Sequence, residues 1–151
     1  MGQLSELNVD DQAGLSVNAI RNFTGKGTLV FGARTLAGND NNYRYVSVRR
    51  FLIMLEQSVK NTLQQFVFEP NDANTWTKVR SLTENFCYTL WRAGALQGAK
   101  AEQAFNIQCG LGTTMTAQDI LNGFLRLSIS VAVDHPAEFI VIQVQQQLAV
   151  S

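Results

Sequence analysis

The chain has 151 residues, of which 46% are hydrophobic and only 16% are charged, and its twelve basic and twelve acidic residues give a net charge of zero. This length fits one domain with a substantial core, and the balanced charge argues against a general nucleic-acid-binding protein. No apolar run approaches the ~20 residues of a membrane-spanning helix, and residues 1–18 are too polar for a signal peptide. Because charged residues usually make up about a quarter of a soluble domain, this composition predicts that another chain covers part of the surface.

The charge is unevenly distributed along the chain. Residues 21–50 carry a net charge of +5, with Asp40 as their single acidic residue, and the remainder of the chain carries −5. The basic residues of this segment are Arg21, Lys26, Arg34, Arg44, Arg49 and Arg50. Two interpretations remain open, namely a solvated face or a docking surface for an acidic partner.

Residues 1–24 are polar, and their scattered apolar residues follow the period of neither a helix nor a strand. We therefore predict an N-terminal arm or linker, which would reach ~80 Å when fully extended and could cross a neighbouring molecule. A strand is predicted over residues 28–35, after the turn residues Gly25 and Gly27, and residues 37–42 have the composition of a loop.

The first long helix is predicted over residues 47–64, with Ser47 as its N-cap. Its buried stripe consists of Val48, Phe51, Leu52, Leu55, Val59, Leu63 and Phe66. Arg49, Arg50, Glu56, Lys60 and Asn61 lie opposite this stripe. The spacing of three and four residues is typical of an amphipathic helix packed on a core.

The second long helix is predicted over residues 75–93, after a short apolar run at 66–68 and a turn at 69–72. Asn74 or Asn71 is the predicted N-cap, and Gly94 supplies the C-terminal stop. The predicted buried stripe consists of Trp76, Val79, Leu82, Phe86 and Leu90, with Cys87 on its flank.

The last part of the chain is predicted to alternate short helices and strands. A short helix near residues 100–105 precedes a strand over 105–109, and Thr116 and Asp119 resemble a capping box at the start of another short helix. Residues 124–133 alternate apolar and polar side chains, which predicts a half-buried strand. Residues 138–150 are almost continuously apolar at 139–144, which indicates a terminal strand that can pair with another subunit.

These elements predict an α+β fold in which two long helices pack on a small, largely antiparallel sheet, with an arm at each end. We predict an N-terminal arm over residues 1–24, a domain body over residues 25–137 and a C-terminal strand or arm over residues 138–151.

The sequence contains no recognisable arrangement of catalytic, phosphate-binding or zinc-binding residues. His135 is the single histidine and is expected to be a turn residue between Asp134 and Pro136. The segment 25–28 (GKGT) departs from a phosphate-binding loop, because Ile20 and Gly27 occupy positions that require glycine and serine or threonine. Two cysteines and one histidine are too few for a structural zinc site, so Cys87 and Cys109 are expected to be reduced core residues of a protein folded in the cytoplasm. We predict no catalytic, cofactor-binding or metal-binding residues.

Several segments, taken in order, resemble the conserved C-terminal domain of contractile tail sheath proteins, which form the sheaths of contractile phage tails, R-type tailocins and extracellular contractile injection systems. The matching segments are NAIRNF at 18–23, GKGT at 25–28, VFGARTL at 30–36, YRYVSVRR at 43–50, FEPN at 68–71, WRAGALQG at 91–98 and PAEFI at 136–140. Each segment is weak alone, but together they span about residues 18–147 in the order of the family.

The resemblance implies a structural subunit whose terminal extensions add strands to the sheets of neighbouring subunits in a helical sheath around an inner tube. Contraction of such a sheath drives the tube through a target envelope. The candidate subunit-interface residues are Leu15, Val17, Ile20, Phe139, Ile140, Val141, Ile142 and Val144. The candidate tube-facing residues are Arg44, Arg49 and Arg50.

The resemblance also implies partners and a location. The partners would be further copies of the chain, the inner tube protein, and baseplate and terminator proteins, with no nucleic acid and no membrane insertion. The chain would be made and assembled in the bacterial cytoplasm and would belong to a phage tail or a released injection particle.

The sequence departs from the family because typical sheath proteins carry further, outward-facing domains. A truncated chain, a processed form and a minimal sheath all remain open. Two other function classes also remain open. The first is a non-contracting adaptor, such as a baseplate or terminator component that uses the same domain, and the second is a small-molecule enzyme.

Overall fold

The structure is a computed structural model that describes residues 9–10, 15–38 and 40–136. The helices in these ranges are α1 (Val46–Leu63), α2 (Ala73–Arg92), α3 (Ala101–Ala104) and α4 (Ala117–Leu121). The strands are β1 (Val9–Asp10), β2 (Leu15–Ser16), β3 (Ala19–Phe23), β4 (Gly27–Phe31), β5 (Phe105–Gln108) and β6 (Ser128–Val131). The predicted α+β class with two long helices is therefore confirmed. Within these ranges the strands form three separate antiparallel pairs, β1–β2, β3–β4 and β5–β6, where we predicted one sheet.

Helix α1 starts one residue earlier than predicted and is not capped by Ser47. Its N-cap is Tyr45, which has an extended backbone and makes no side-chain capping bond. The Val46 N–H donates to the Ala33 carbonyl at 2.9 Å, and Arg34 forms a bridge with Tyr45. The preceding chain therefore satisfies the first N–H of the helix by backbone pairing, in place of a capping side chain. The predicted polar face is confirmed as exposed.

Helix α2 is capped by Asp72, whose side chain accepts a 2.9 Å hydrogen bond from the Thr75 N–H, and so the prediction of Asn74 or Asn71 was wrong. The buried side of α2 also differs from the predicted one, with Val79 common to both. The residues that α2 buries are Thr75, Val79, Thr83 and Cys87. Cys87 lies in the core with 0% of its surface exposed, whereas we placed it on the flank. Small side chains at four-residue spacing let the helix approach its neighbours closely, and the larger predicted residues line the two sides of this contact.

The β5–β6 pair supplies the sheet surface that packs on the helices. Its register places Phe105 opposite Val131 and Ile107 opposite Ile129. These side chains join a core built around Leu55, Val59, Cys87 and Ile107. The other two pairs of this register, Asn106 with Ser130 and Gln108 with Ser128, are polar and exposed. The predicted alternation is therefore confirmed, with apolar residues on one face and polar residues on the other.

The strand β6 is shorter than the predicted strand over residues 124–133. The carbonyls of Phe124 and Arg126 accept hydrogen bonds from the side chains of Asn71 and Thr114, at 3.0 and 2.7 Å. Because side chains hold these carbonyls, they are not part of the backbone ladder. The short helix α4 has the predicted capping box, in which Thr116 and Asp119 each bond to the other's backbone N–H.

The N-terminal part contains more regular structure than we predicted. Residues 1–24 were expected to lack it, but β3 lies there and pairs with β4 across a turn containing Gly25, which has a φ of 76°. The strand predicted over residues 28–35 instead spans Gly27–Phe31. Each strand supplies the hydrogen-bonding partners of the other, so neither needed a strong periodicity of its own. The predicted C-terminal strand over residues 138–150 lies outside the described residues.

Candidate subunit interface

The β3–β4 hairpin is an exposed two-stranded ribbon. Its register runs from Ala19 opposite Phe31 to Phe23 opposite Gly27. Apart from Ala19 and Phe23, all its strand residues are exposed. Among the described residues no third strand pairs with it, so both outer edges present backbone N–H and C=O groups without a strand partner. Such edges are templates for the addition of a strand from another chain.

The two faces of the hairpin differ. On one face the rings of Phe23 and Phe31 lie 5.1 Å apart, and the guanidinium of Arg21 lies 5.2 Å from the centre of the Phe23 ring. These side chains therefore cover each other. On the opposite face Ile20 and Val30 form a cross-strand pair and are 71% and 70% exposed. The Ile20–Val30 face is therefore more exposed than the opposite face, where Leu29 and Phe31 are 43% and 40% exposed. Among the described residues, neither outer edge of the hairpin has a strand partner.

A polar clamp fixes the root of the hairpin to the body. The side-chain amide of Asn18 donates to the Arg34 carbonyl at 2.8 Å, and its carbonyl oxygen accepts from the Arg34 N–H at 2.9 Å. Gly32 packs directly against this amide, because a Cβ at that position would lie 2.7 Å from Asn18 Oδ1. The two bonds hold the chain before β3 against the chain after β4. The hairpin is therefore presented at a fixed place near the start of α1.

The structure locates three of the predicted subunit-interface residues. Leu15 lies in β2, Val17 is 49% exposed, and Ile20 is on the more exposed hairpin face. The adjacent Ser16 is buried, and its hydroxyl donates to the Gly38 carbonyl at 3.3 Å. The other five predicted interface residues, Phe139, Ile140, Val141, Ile142 and Val144, lie outside the described residues. Contact of these residues with another subunit stays a prediction.

The predicted tube-facing residues meet at the N-terminal end of α1. Arg49 and Arg50 are exposed in its first turn, where there is no acidic residue, and the Arg49 guanidinium lies 5.8 Å from the Tyr43 ring centre. Arg44 is half-buried, with its guanidinium 5.2 Å from the Tyr45 ring centre and a 3.0 Å bond from Nη2 to Asn41 Oδ1. Positive charge at a helix N-terminus is unfavourable on its own, so this end is suited to a negatively charged partner.

His135, near the end of the described residues, contacts the same end. His135 Nε2 lies 3.2 Å from the Asn41 carbonyl oxygen, and its ring meets the Tyr45 ring edge-on with 6.1 Å between centres. His135 is therefore an exposed residue that contacts Asn41 and Tyr45, and the described backbone at residues 134–136 contains no regular turn. The hairpin root, the basic helix end and His135 therefore lie close together.

The described part of the chain contains both cysteines and the single histidine. Its residues contain no group of three His, Cys, Asp or Glu side chains placed to hold a metal ion. Both cysteines are free thiols, and burial raises the pKa of Cys87 to about 11. Burial also raises the pKa of Cys109, and the nearby charge of Arg80 lowers it in part. None of the helices in the described ranges has the length and apolar character needed to span a membrane.

Sequence analysis missed one surface feature. Phe68, which we treated as the end of a short apolar run, is fully exposed and has a φ of 75°. The sequence contains no glycine at this turn, so the usual signal of a left-handed residue was absent. The exposed aromatic residue next to the turn at 69–72 is therefore visible only in the structure.

Comparison with known proteins places these features in a family. The profile of the family described as phage tail sheath C-terminal domain matches residues 38–147. Comparison with curated protein sequences gives no match.

Solved structures support the same placement. A chain in the anti-feeding prophage (AFP) baseplate shares 39% identity with a TM-score of 0.84, covering 97% of this chain and 39% of that one. A chain of the extracellular contractile injection system PVC sheath complex, in the contracted state, shares 41% identity with a TM-score of 0.83. The match covers 95% of this chain and 39% of that one. A chain of the AFP helical sheath in the contracted state shares 36% identity with a TM-score of 0.81, covering 97% and 40%. This chain thus spans about two fifths of the length of these relatives, and it belongs to the phage tail sheath C-terminal domain family.

Proposed function

We propose that this chain is a structural subunit of a contractile tail sheath, which polymerises helically around an inner tube and contracts to drive the tube through a target envelope. The observation that carries the proposal is the exposed β3–β4 hairpin, with two open edges and an apolar face, in a member of the sheath family. The role is mechanical and not enzymatic. Work comes from the free-energy difference between two packings of the same folded body.

The terminal segments are proposed to connect the subunits. The arm that we predicted at residues 1–24 is proposed to end before Asn18, because Asn18 and β3 are held by Arg34 and β4. Residues 1–17 and 138–151 then act as the arms that extend from the body. An arm from a neighbouring copy adds a strand to an open edge of the hairpin, so the backbone hydrogen bonds persist while the bodies rotate. Residues 134–136 and the glycines of the β3–β4 turn supply the changes in backbone dihedrals. This connectivity accounts for the low charge and the exposed apolar residues of the chain.

The basic end of α1 is proposed to face the inner tube. Arg44, Arg49 and Arg50 are gathered there, and the first helical turn lacks an acidic residue that would balance them. We expect the variant Arg49→Glu/Arg50→Glu to bind the tube protein more weakly than the wild type, measured by co-sedimentation. The matched control Arg92→Glu, at the far end of α2, should bind normally. Equal binding by all three proteins would refute the tube contact.

A second function is supported by one comparison. The relatives include a chain from the AFP baseplate, so a non-contracting adaptor, a baseplate component or a terminator remains an alternative role. An adaptor forms a closed ring or a small oligomer, whereas a sheath forms an open helical array. In either role the chain belongs to a phage tail or released injection particle and is assembled in the bacterial cytoplasm, together with tube, baseplate and terminator proteins.

Electron microscopy of the purified chain over a concentration series, with and without the tube protein, tests the proposal. Helical tubes of sheath-like width support the sheath role, and deletion of residues 138–151 should abolish them. Closed rings would favour the adaptor. Small monodisperse particles, even with the tube protein present, would refute self-assembly of this chain.

A further inference from the structure

The turn after α1 presents an aromatic side chain at a conformational cost. Val67 has φ −64° and ψ 128°, Phe68 has φ 75°, and the Glu69 N–H donates to the Phe66 carbonyl at 3.1 Å. These values define a type II turn with Phe68 at the position that normally requires glycine. The side chain of Phe68 is also fully exposed to solvent. A strained and exposed aromatic residue gains nothing in the isolated domain, which points to a contact made elsewhere.

The turn is followed by a hydrogen-bonded asparagine and adjoins an apolar groove. The side chain of Asn71 donates to the Phe124 carbonyl at 3.0 Å and accepts from Trp76 Nε1 at 2.6 Å, so the loop is fastened to both α2 and the chain before β6. Phe68 lines a groove of about 510 Å³ together with Leu63, Phe66, Val67, Val79 and Leu125. We call Phe68 and this groove the Phe68 surface. Its aromatic anchor is preorganised, as in the strongest contacts of protein interfaces.

The charge of the Phe68 surface is opposite to that of the β3–β4 hairpin. Residues 64–72 contain the acidic residues Glu69 and Asp72 and no basic residue. Residues 19–31 contain the basic residues Arg21 and Lys26 and no acidic residue. Each of these surfaces also exposes large apolar side chains. The two surfaces of the same chain are therefore complementary in charge, and each has apolar area to bury.

The two surfaces lie at opposite ends of α1. The hairpin root is tied to the helix start by the Arg34–Tyr45 bridge, and the Phe68 surface follows the helix end. The 18 residues of α1 separate these ends by about 27 Å. A contact between unlike surfaces at opposite ends joins copies head to tail and does not close on itself as a two-fold contact would.

We infer that the Phe68 surface binds the β3–β4 hairpin of a second copy of this chain, with Phe68 against the exposed Ile20–Val30 face and the acidic Glu69 beside Lys26 in the hairpin turn. This inference rests on the proposed self-assembly and specifies one of its contacts. The contact uses a face of the hairpin and leaves both edges open, so it is compatible with strand addition by the arms.

Site-specific photo-crosslinking tests this contact. Phe68 is replaced by p-benzoylphenylalanine in an isotope-labelled chain, which is mixed with unlabelled chain, with and without tube protein, and irradiated. We expect mass spectrometry to find residue 68 linked to a peptide from residues 19–31 of the other copy. The same crosslinker at Leu36, which is 72% exposed, is the matched control and should not capture residues 64–72.

The substitution Phe68→Gly supplies a second measurement. Glycine suits the turn, so the folded chain should not melt at a lower temperature, while the concentration needed for assembly should rise on the order of tenfold or more. Glu69→Lys should weaken assembly, and Lys26→Glu in the same chain should restore part of it.

Each outcome has a defined meaning. Helical tubes in which residue 68 captures any other segment, the tube protein or nothing would overturn the inference and leave the proposed function intact. Particles that stay monodisperse with tube protein, with no captured peptide, would overturn both.

Discussion

The clamp at the hairpin root offers a direct test of how the subunit interface is built. Replacing Asn18 by Ala removes two hydrogen bonds, of 2.8 and 2.9 Å, to the backbone of Arg34. Arg34 is only 7% exposed, so water replaces those bonds poorly. At about 0.5–1.5 kcal/mol for each bond, the loss is about 1–3 kcal/mol.

This loss should appear locally and not in the global melting temperature. The core lies around Leu55, Val59, Cys87 and Ile107, and the hairpin is not part of it. We therefore expect the amides that pair β3 with β4 to exchange with deuterium about 5–150 times faster in Asn18→Ala, while the amides of α2 exchange at the wild-type rate.

Two variants make the measurement specific. Asn18→Asp keeps the acceptor for the Arg34 N–H but loses the donor to the Arg34 carbonyl, so its exchange rates should fall between those of the wild type and Asn18→Ala. Asn22→Ala changes an exposed asparagine of the same strand and should leave the hairpin rates near the wild-type values. Unchanged hairpin protection in Asn18→Ala would refute the clamp. Acceleration throughout the domain would show that the hairpin is part of the global folding unit.

Three further predictions concern the body. Ile107→Ala should lower the free energy of unfolding by about 2–5 kcal/mol in urea denaturation, because this side chain is 6% exposed and fills the core; a change below about 1 kcal/mol would contradict that packing. The pKa of Cys87 is about 11 in the folded chain, above the ordinary thiol value of 9.0, so the wild type should lose stability as the pH rises from 9 towards 11. Cys87→Ala should lack this part of the pH dependence, whereas Cys109→Ala should retain it, and parallel curves for wild type and Cys87→Ala would exclude the effect. Hydrogen bonds from Thr116 lower the pKa of Asp119, so the protection of the α4 amides should be lost as the pH falls through that lowered pKa, and Thr116→Ala should accelerate exchange in α4 alone at neutral pH.

Local sequence patterns were sufficient to predict those helices and strands whose structure depends on interactions within the element itself. The apolar spacing of α1 and α2 predicted both helices to within two residues at each end, and the Thr116–Asp119 pair predicted the capping box of α4. The alternation around β6 predicted which of its side chains face the core. These features depend on interactions within one helix or between the two faces of one strand, which a short segment of sequence contains in full.

Only the tertiary structure shows the features that depend on contacts with other elements of the chain. Periodicity shows that α2 is amphipathic, but the close approach of its neighbours selected the line through Thr83 and Cys87 as the buried one. The strand β3 forms because β4 pairs with it, and the first N–H of α1 is bonded to the Ala33 carbonyl and not to a capping side chain. The left-handed conformation of Phe68 likewise depends on the fastening of its turn to α2 and to the chain before β6. Each of these outcomes is determined by groups that are distant in sequence or on another element, and for this reason only the folded chain shows them.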